Sequence, residues 1–162
     1  FRVLARGASE PASVLASANE VVCDEIEPGK FVTLVYALVD PDAREVACAS
    51  AGHPPARVVH PSGEVTTVGT PGLALGIERD QEYPAERVRL EPGSTVVLFT
   101  DGVIEARRDG ELYGEERLER LLASRRGLAA QELAEAILAD CRAFGGGELG
   151  DDCAIVCLKL AG

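Results

Sequence analysis

Val14, Leu15, Ala18, Val21 and Val22 recur at the three-and-four spacing of one helical face, which predicts a helix over about 10–26. Ser9 can cap it, with Pro11 in the first turn where a missing amide costs nothing, and Pro28 and Gly29 end it. The residues before it, "FRVLARGA", read as the tail of an element whose beginning is absent. From 31 the period changes. "FVTLVYALVD" (31–40) is β-branched and aromatic, with apolar residues at both parities, and predicts a strand covered on both faces. A turn at Pro41–Asp42 leads to a second strand, "REVACAS" (44–50). "AGHPPA" is a loop, because a residue before proline is pushed out of the helical region.

"RVVHPSGEVTTV" (57–68) reads as a hairpin around Pro61–Gly63, and strands joined by turns this short must be largely antiparallel. "TPGLALGIERD" (70–80) is a glycine-punctuated loop, "AERVRL" (85–90) a half-exposed strand, and "TVVLF" (95–99) a central strand after the turn "EPGS". Two helices follow, near 114–124 with Leu118, Leu121 and Leu122 inward, and near 129–143 with Leu133, Ile137, Leu138 and Cys141 on one face. "FGGGELGDD" is a loop and "CAIVCLKL" (153–160) the closing strand. The order of elements predicts one α+β domain over 1–162.

Composition narrows the classes. A chain of 162 residues with 46% hydrophobic content can bury a real core, and no apolar run approaches a membrane span. No signal peptide pattern opens the chain. Five cysteines, without a Cys-x-x-Cys pair or a histidine cluster, read as reduced thiols of a cytoplasmic protein. A formal charge of −11 argues against a nucleic-acid partner and is compatible with hard cations, which take oxygen ligands.

The candidate chemistry sits at two strand ends. Asp101 lies just past strand 95–99, and Asp151 and Asp152 just before strand 153–160. If those strands are antiparallel neighbours, the carboxylates meet at one sheet edge. Held together and unpaired they are costly, unless a cation neutralises them or one is protonated. Mg²⁺ or Mn²⁺ suits an all-oxygen site, and two such ions can share and activate one water.

The spellings around these aspartates carry a resemblance. "FVTLVYALVD", "SAGHPPA", "GLALGI", "LEPGSTVVLFTDGVIEAR", "LYGEERLERLL" and "GDDCAIVCLKL" stand in the order and spacing of the bacterial SpoIIE-like branch of the metal-dependent (PPM, protein phosphatase 2C-like) Ser/Thr phosphatases. The resemblance covers about residues 10–160. It implies an antiparallel β-sandwich flanked by helices, here without its N-terminal strands. It also implies two Mn²⁺ or Mg²⁺ ions and direct attack of metal-bound hydroxide on phosphorus, with no phosphoenzyme. On that likeness Asp101 and Asp151 are metal ligands, Asp152 helps through water, and Glu105 positions the loop. The implied substrate is a phosphorylated anti-sigma-factor antagonist, with sensor or regulatory domains upstream. The family's further aspartate, in a "Gly-Asp-Val-x-Gly"-like turn, has no match in this chain. The expectation is therefore a fragment of a longer phosphatase, prone to dimerise. The competing reading is an interaction module that keeps the fold without completing the metal pair.

Other features weigh less. In haloacid-dehalogenase phosphatases a nucleophilic Asp stands where this chain has Phe99, and a phenyl ring cannot attack phosphorus. His53, between Gly52 and two prolines, is expected to fix a turn rather than move protons. Cys153 and Cys157 share a strand face and are expected to be core thiols.

Overall fold

In the computed structural model, residues 10–147 and 152–161 are described. The chain divides into two compact units, one made of Phe1–Ala56 with Thr67–Arg89 and the other of Arg57–Thr66 with Leu90–Gly162.

The first unit is a helix on a sheet. Helix α1 spans Pro11–Glu25, with Pro11 in its first turn. Ser9, the expected cap, lies outside the described residues; Glu10 occupies the N-cap position and makes no side-chain cap bond. Strands β1 (Leu34–Asp40) and β2 (Glu45–Ala51) pair antiparallel along their whole length, from Leu34 opposite Ala51 to Asp40 opposite Glu45. The turn between them is held by Asp40, whose Oδ1 accepts from the amides of Asp42 and Ala43. Such Asx turns arise because a short carboxylate reaches the amides two and three residues on. Leu15 and Ala18 of α1 pack on Ala49 and Ala51 of β2, together with Leu75 and Tyr83.

The expectation for 31–40 needs correction. Phe31 and Val32 precede the strand and are exposed, and β1 is half-buried along its apolar run rather than covered on both faces. Among the described residues β1 pairs with β2 alone and so forms an edge, which is why both parities can be apolar without full burial. The loop 70–80 is more ordered than its glycines suggest. It contains β5 (Pro71–Gly72), parallel to β2, and a bridge between Leu75 and Val32. Buried Asn19 of α1 pins it, donating to the Glu78 carbonyl at 2.8 Å and accepting from the Gly76 amide at 2.9 Å. Gly76 must be glycine there, since its φ is +87° and a Cβ would stand 2.9 Å from Val22. Strand β6 (Glu86–Arg89) joins β2 antiparallel.

The second unit carries the other sheet, in the order β10–β7–β3–β4. Its strands are β3 (Ala56–Val59), β4 (Val65–Val68), β7 (Thr95–Phe99) and β10 (Ile155–Lys159), the β3–β4 hairpin being the one expected. A short ribbon, β8 (Arg107–Arg108) with β9 (Glu111–Leu112), precedes helices α2 (Gly114–Ser124) and α3 (Ala130–Phe144). Val97 and Phe99 of β7 pack with Leu118 and Leu122 of α2 and with Leu133, Ile137 and Cys141 of α3. Leu121 is partly buried against this core, as is the Ile155 and Cys157 side of β10. Leu138, expected on the inward face, is only half-buried. Arg57, at 1% exposure, reaches Glu115 and Glu119 of α2 and lies over the Phe99 ring. At the start of α3 the Glu132 carboxylate turns back to accept from the Ala129 amide at 2.9 Å, satisfying one of the helix's free donors.

Candidate functional site

Strands β7 and β10 are antiparallel neighbours, with Phe99 opposite Ile155 and Thr95 opposite Lys159. The C-terminal end of β7 therefore lies beside the N-terminal end of β10, and the chain leaves the first on Asp101 and enters the second from Asp152.

Past Phe99 the ladder continues for one more residue. The Thr100 amide donates to the Ala154 carbonyl at 3.0 Å. Its hydroxyl donates to the Asp152 carbonyl at 3.0 Å and accepts from the Ala154 amide at 2.9 Å. One side chain thus ties the segment carrying Asp152 to the residue directly before Asp101. The sequence reading passed over Thr100; the signal available was a hydroxyl standing immediately before the strand-end aspartate.

Asp101 opens a single 3₁₀ turn, Asp101–Val103, which makes the backbone turn away from the sheet at this point. The turn closes on Asp101 itself: its carbonyl accepts from the amides of Ile104 and Glu105, the latter at 2.8 Å. Its Oδ1 accepts from the Gly102 amide at 3.0 Å. Gly102 and Val103 are buried while the Asp101 side chain remains exposed, so the apolar residues anchor the turn and the carboxylate projects to solvent. Asp152 is exposed as well. Glu105 is exposed, and it is its backbone amide that closes the turn on Asp101. Asp151 lies outside the described residues.

The donors at this sheet end suit a hard divalent cation. Asp101 and Asp152 offer carboxylate oxygens, the ligands that Mg²⁺ and Mn²⁺ prefer. The adjacent thiol is no competitor, because Cys153 is half-buried against the core and its desolvation pushes its pKa upward. Among the described residues, no group of three or more His, Cys, Asp or Glu side chains is placed to hold an ion by itself.

The remaining candidates fall where plain structure would put them. His53 Nδ1 donates to the Pro54 carbonyl at 3.0 Å, and its own carbonyl accepts from the Ser50 hydroxyl at 2.6 Å. It is a turn-fixing residue, as expected. All five cysteines are free. Burial lifts Cys48 and Cys157 to about 11 and Cys141 to about 12, which leaves these thiols protonated and poorly nucleophilic near neutrality.

Residues 1–161 match the family model of stage II sporulation protein E (SpoIIE). The chain is 30% identical over 150 residues to the phosphoserine phosphatase RsbU of Bacillus subtilis, an alignment covering 92% of this chain and 45% of that protein. The chain therefore spans less than half the length of that relative. Among solved structures it is similar to the SiaA-PP2C domain of Pseudomonas aeruginosa, with a TM-score of 0.81 at 24% identity over 94% of this chain and 62% of that one. It is also similar to the manganese-presoaked phosphatase domain of SpoIIE from Bacillus subtilis, with a TM-score of 0.69 at 19% identity, covering 99% of this chain and 70% of that one. At these identities the structural likeness establishes the fold, an α+β protein of the protein phosphatase 2C type.

Proposed function

This chain belongs to the SpoIIE family, and from that premise we propose that residues 1–162 form one metal-dependent protein serine/threonine phosphatase domain acting in the cytoplasm. The observation that supports it is the Thr100 tie between the β7 and β10 ends, which holds Asp101 and the segment of Asp152 at one sheet end. In this reading Asp101 and Asp151 ligate Mn²⁺ or Mg²⁺, and Asp152 helps through water. Bound there, the cation would offset the charge of these carboxylates and of the phosphoryl group and would make water acidic enough to react near neutral pH.

The chain's own residues prepare that chemistry. The Gly102 amide occupies Asp101 Oδ1 and limits the rotation of the carboxylate. The 3₁₀ turn, closed through the Glu105 amide, fixes where Asp101 leaves the sheet. Buried Val103 keeps the turn seated on the core of its unit. Preorganised ligands of this kind cost no rearrangement when the charged substrate arrives.

The substrate we propose is a phosphoserine or phosphothreonine on a regulatory protein, specifically a phosphorylated anti-sigma-factor antagonist. The name of the aligned relative, a phosphoserine phosphatase, supports the phosphoserine part. The test is Mn²⁺-dependent release of phosphate from a phosphoserine protein by the full-length protein. Asp101→Asn should lower the rate by at least about 100-fold, since even groups that only support a metal ligand are worth 10–100-fold, while far-UV circular dichroism stays unchanged. Wild-type turnover in that variant would refute the assignment.

A further inference from the structure

The end of the second unit's sheet opposite Asp101 carries a different kind of site. There Thr95 begins β7, Lys159 ends β10, and Val59 ends β3, all three in register. Pro61, Gly93, Ser124, Arg126, Gly127 and Lys159 line an open cavity of about 510 Å³ at that end. Ligand sites commonly have volumes of about 300–1,000 Å³. We propose that this cavity is a binding site for a small phosphate-type oxyanion, either inorganic phosphate or the phosphate of a small phosphomonoester.

The chain has 27 acidic residues against 16 lysines and arginines, so an anion needs a local convergence of cations to bind it. Arg57, Arg79, Arg87, Arg117 and Arg120 are all ion-paired. Arg126 and Lys159 form no ion pair among the described residues, although they line the same cavity. Their polar contacts are to backbone carbonyls. Arg126 donates from Nε to Pro61 at 3.2 Å and from Nη1 to Ala123 at 3.1 Å. Lys159 Nζ donates to the carbonyls of Arg126 and Leu128, at 3.2 and 2.6 Å.

Those bonds fix both heads without neutralising them. A guanidinium has five N–H donors and an ammonium three, so each retains donors beyond its carbonyl bonds. Of the Arg126 guanidinium, Nη2 has no described partner and can donate to an oxygen of a phosphate. Holding the side chains in advance removes much of the rotamer entropy that binding would otherwise cost. The one carboxylate on the neighbouring turn, Glu91, faces His60 at 3.8 Å. Gly127 has open space where a Cβ would stand, and Gly93 meets only Pro61 at 3.6 Å. The walls of the cavity are therefore low at both positions. Capping of the α2 C-terminus accounts for the Arg126 bond to Ala123, but not for the convergence of Lys159 from β10 onto the same space.

The experiment is an amide chemical-shift titration of this chain with inorganic phosphate, in the presence of a chelator so that no metal recruits phosphate to Asp101. Saturable shifts centred on Gly93, Ser124 and Gly127 are expected, with a dissociation constant in the millimolar range or below. Arg126→Gln and Lys159→Gln should each weaken binding about tenfold, while Arg79→Gln, in the first unit, should not. Glutamine keeps an amide donor for the carbonyls, and unchanged spectra elsewhere would show that the variants fold. A parallel titration with glycerol 3-phosphate separates the two sources: tighter binding than phosphate assigns the site to a phosphomonoester, and weaker binding assigns it to the free ion. Non-saturating shifts, or binding indifferent to both substitutions, would overturn the proposal.

Discussion

Thr100 shows how much a single side chain can decide at a strand end. Its hydroxyl is the one side-chain link described between the residue before Asp101 and the segment entering β10. Thr100→Val keeps the shape and the β-branch but loses both bonds. A net hydrogen bond contributes about 1 kcal/mol, toward the lower end where water can replace it, so a loss of about 1–2 kcal/mol is expected in urea unfolding. Thr100→Ser should recover most of it. If Thr100 also sets the distance between carboxylates, Thr100→Val will raise the Mn²⁺ concentration needed for half-maximal activity, and Thr100→Ser will not. An unchanged metal dependence in the valine variant would limit Thr100 to stability. Asp101 drew attention only together with the second carboxylate cluster at Asp151–Asp152, because a lone Asp closing a strand is usually a turn former. Thr100 was not legible, because threonine is an ordinary strand residue and its second partner lies 52 positions away.

At the scale of elements, the long periodic segments were readable and the short ones were not. Helix α1 and the strands β2 and β7 fall within a residue or two of their expected bounds, because α1 buries one regular face and the two strands are short runs buried at almost every position. The β8–β9 ribbon was missed. Two-residue strands carry no period, and both are exposed. The usable signal was Asp109–Gly110, whose φ values of 52° and 85° are the pair of positive angles a tight hairpin turn requires. Strand 31–40 was over-read for a related reason: apolar residues at both parities indicate two contacted faces only when both sides have neighbours, and β1 is an edge among the described residues.

Three buried thiols also bear a pH signature. Cys157 of β10, Cys141 of α3 and Cys48 of β2 have folded pKa values raised by burial, from 9.0 to about 11, 12 and 11. A thiol is neutral below its pKa, so these groups leave folding stability unaffected up to about pH 9. Above that the unfolded chain ionises first, and stability falls as pH rises toward 11–12. Urea midpoints measured from pH 7 to 10.5 should stay level and then drop. Cys157→Val, close in size and unable to ionise, should shallow the drop. A midpoint that is flat through pH 10.5 in the parent chain would show that these thiols are open to water.

Across the whole molecule, the same edges decide how the isolated chain behaves in solution. No helix of the described residues is long and apolar enough to cross a membrane. In the first unit Phe31 is 59% exposed and Val32 42%, just before edge strand β1. In the second, Val156 and Leu158 on edge strand β10 are 50% and 47% exposed, alternating with the buried side that packs on the helices. An edge strand presents a row of unpaired amides and carbonyls, and apolar side chains beside it remove the usual safeguard against pairing with another chain. The charge of −11 opposes close approach, but that repulsion is screened beyond about 8 Å at physiological salt, whereas apolar contact is not. The expected outcome is concentration-dependent self-association of the 162-residue chain, stronger at 0.5 M than at 0.05 M NaCl, measured by size-exclusion chromatography with light scattering. Val156→Lys with Leu158→Glu should reduce it without altering the buried side of β10. A monomer at all concentrations and salts would mean that the exposed strand sides are too small or too twisted to pair.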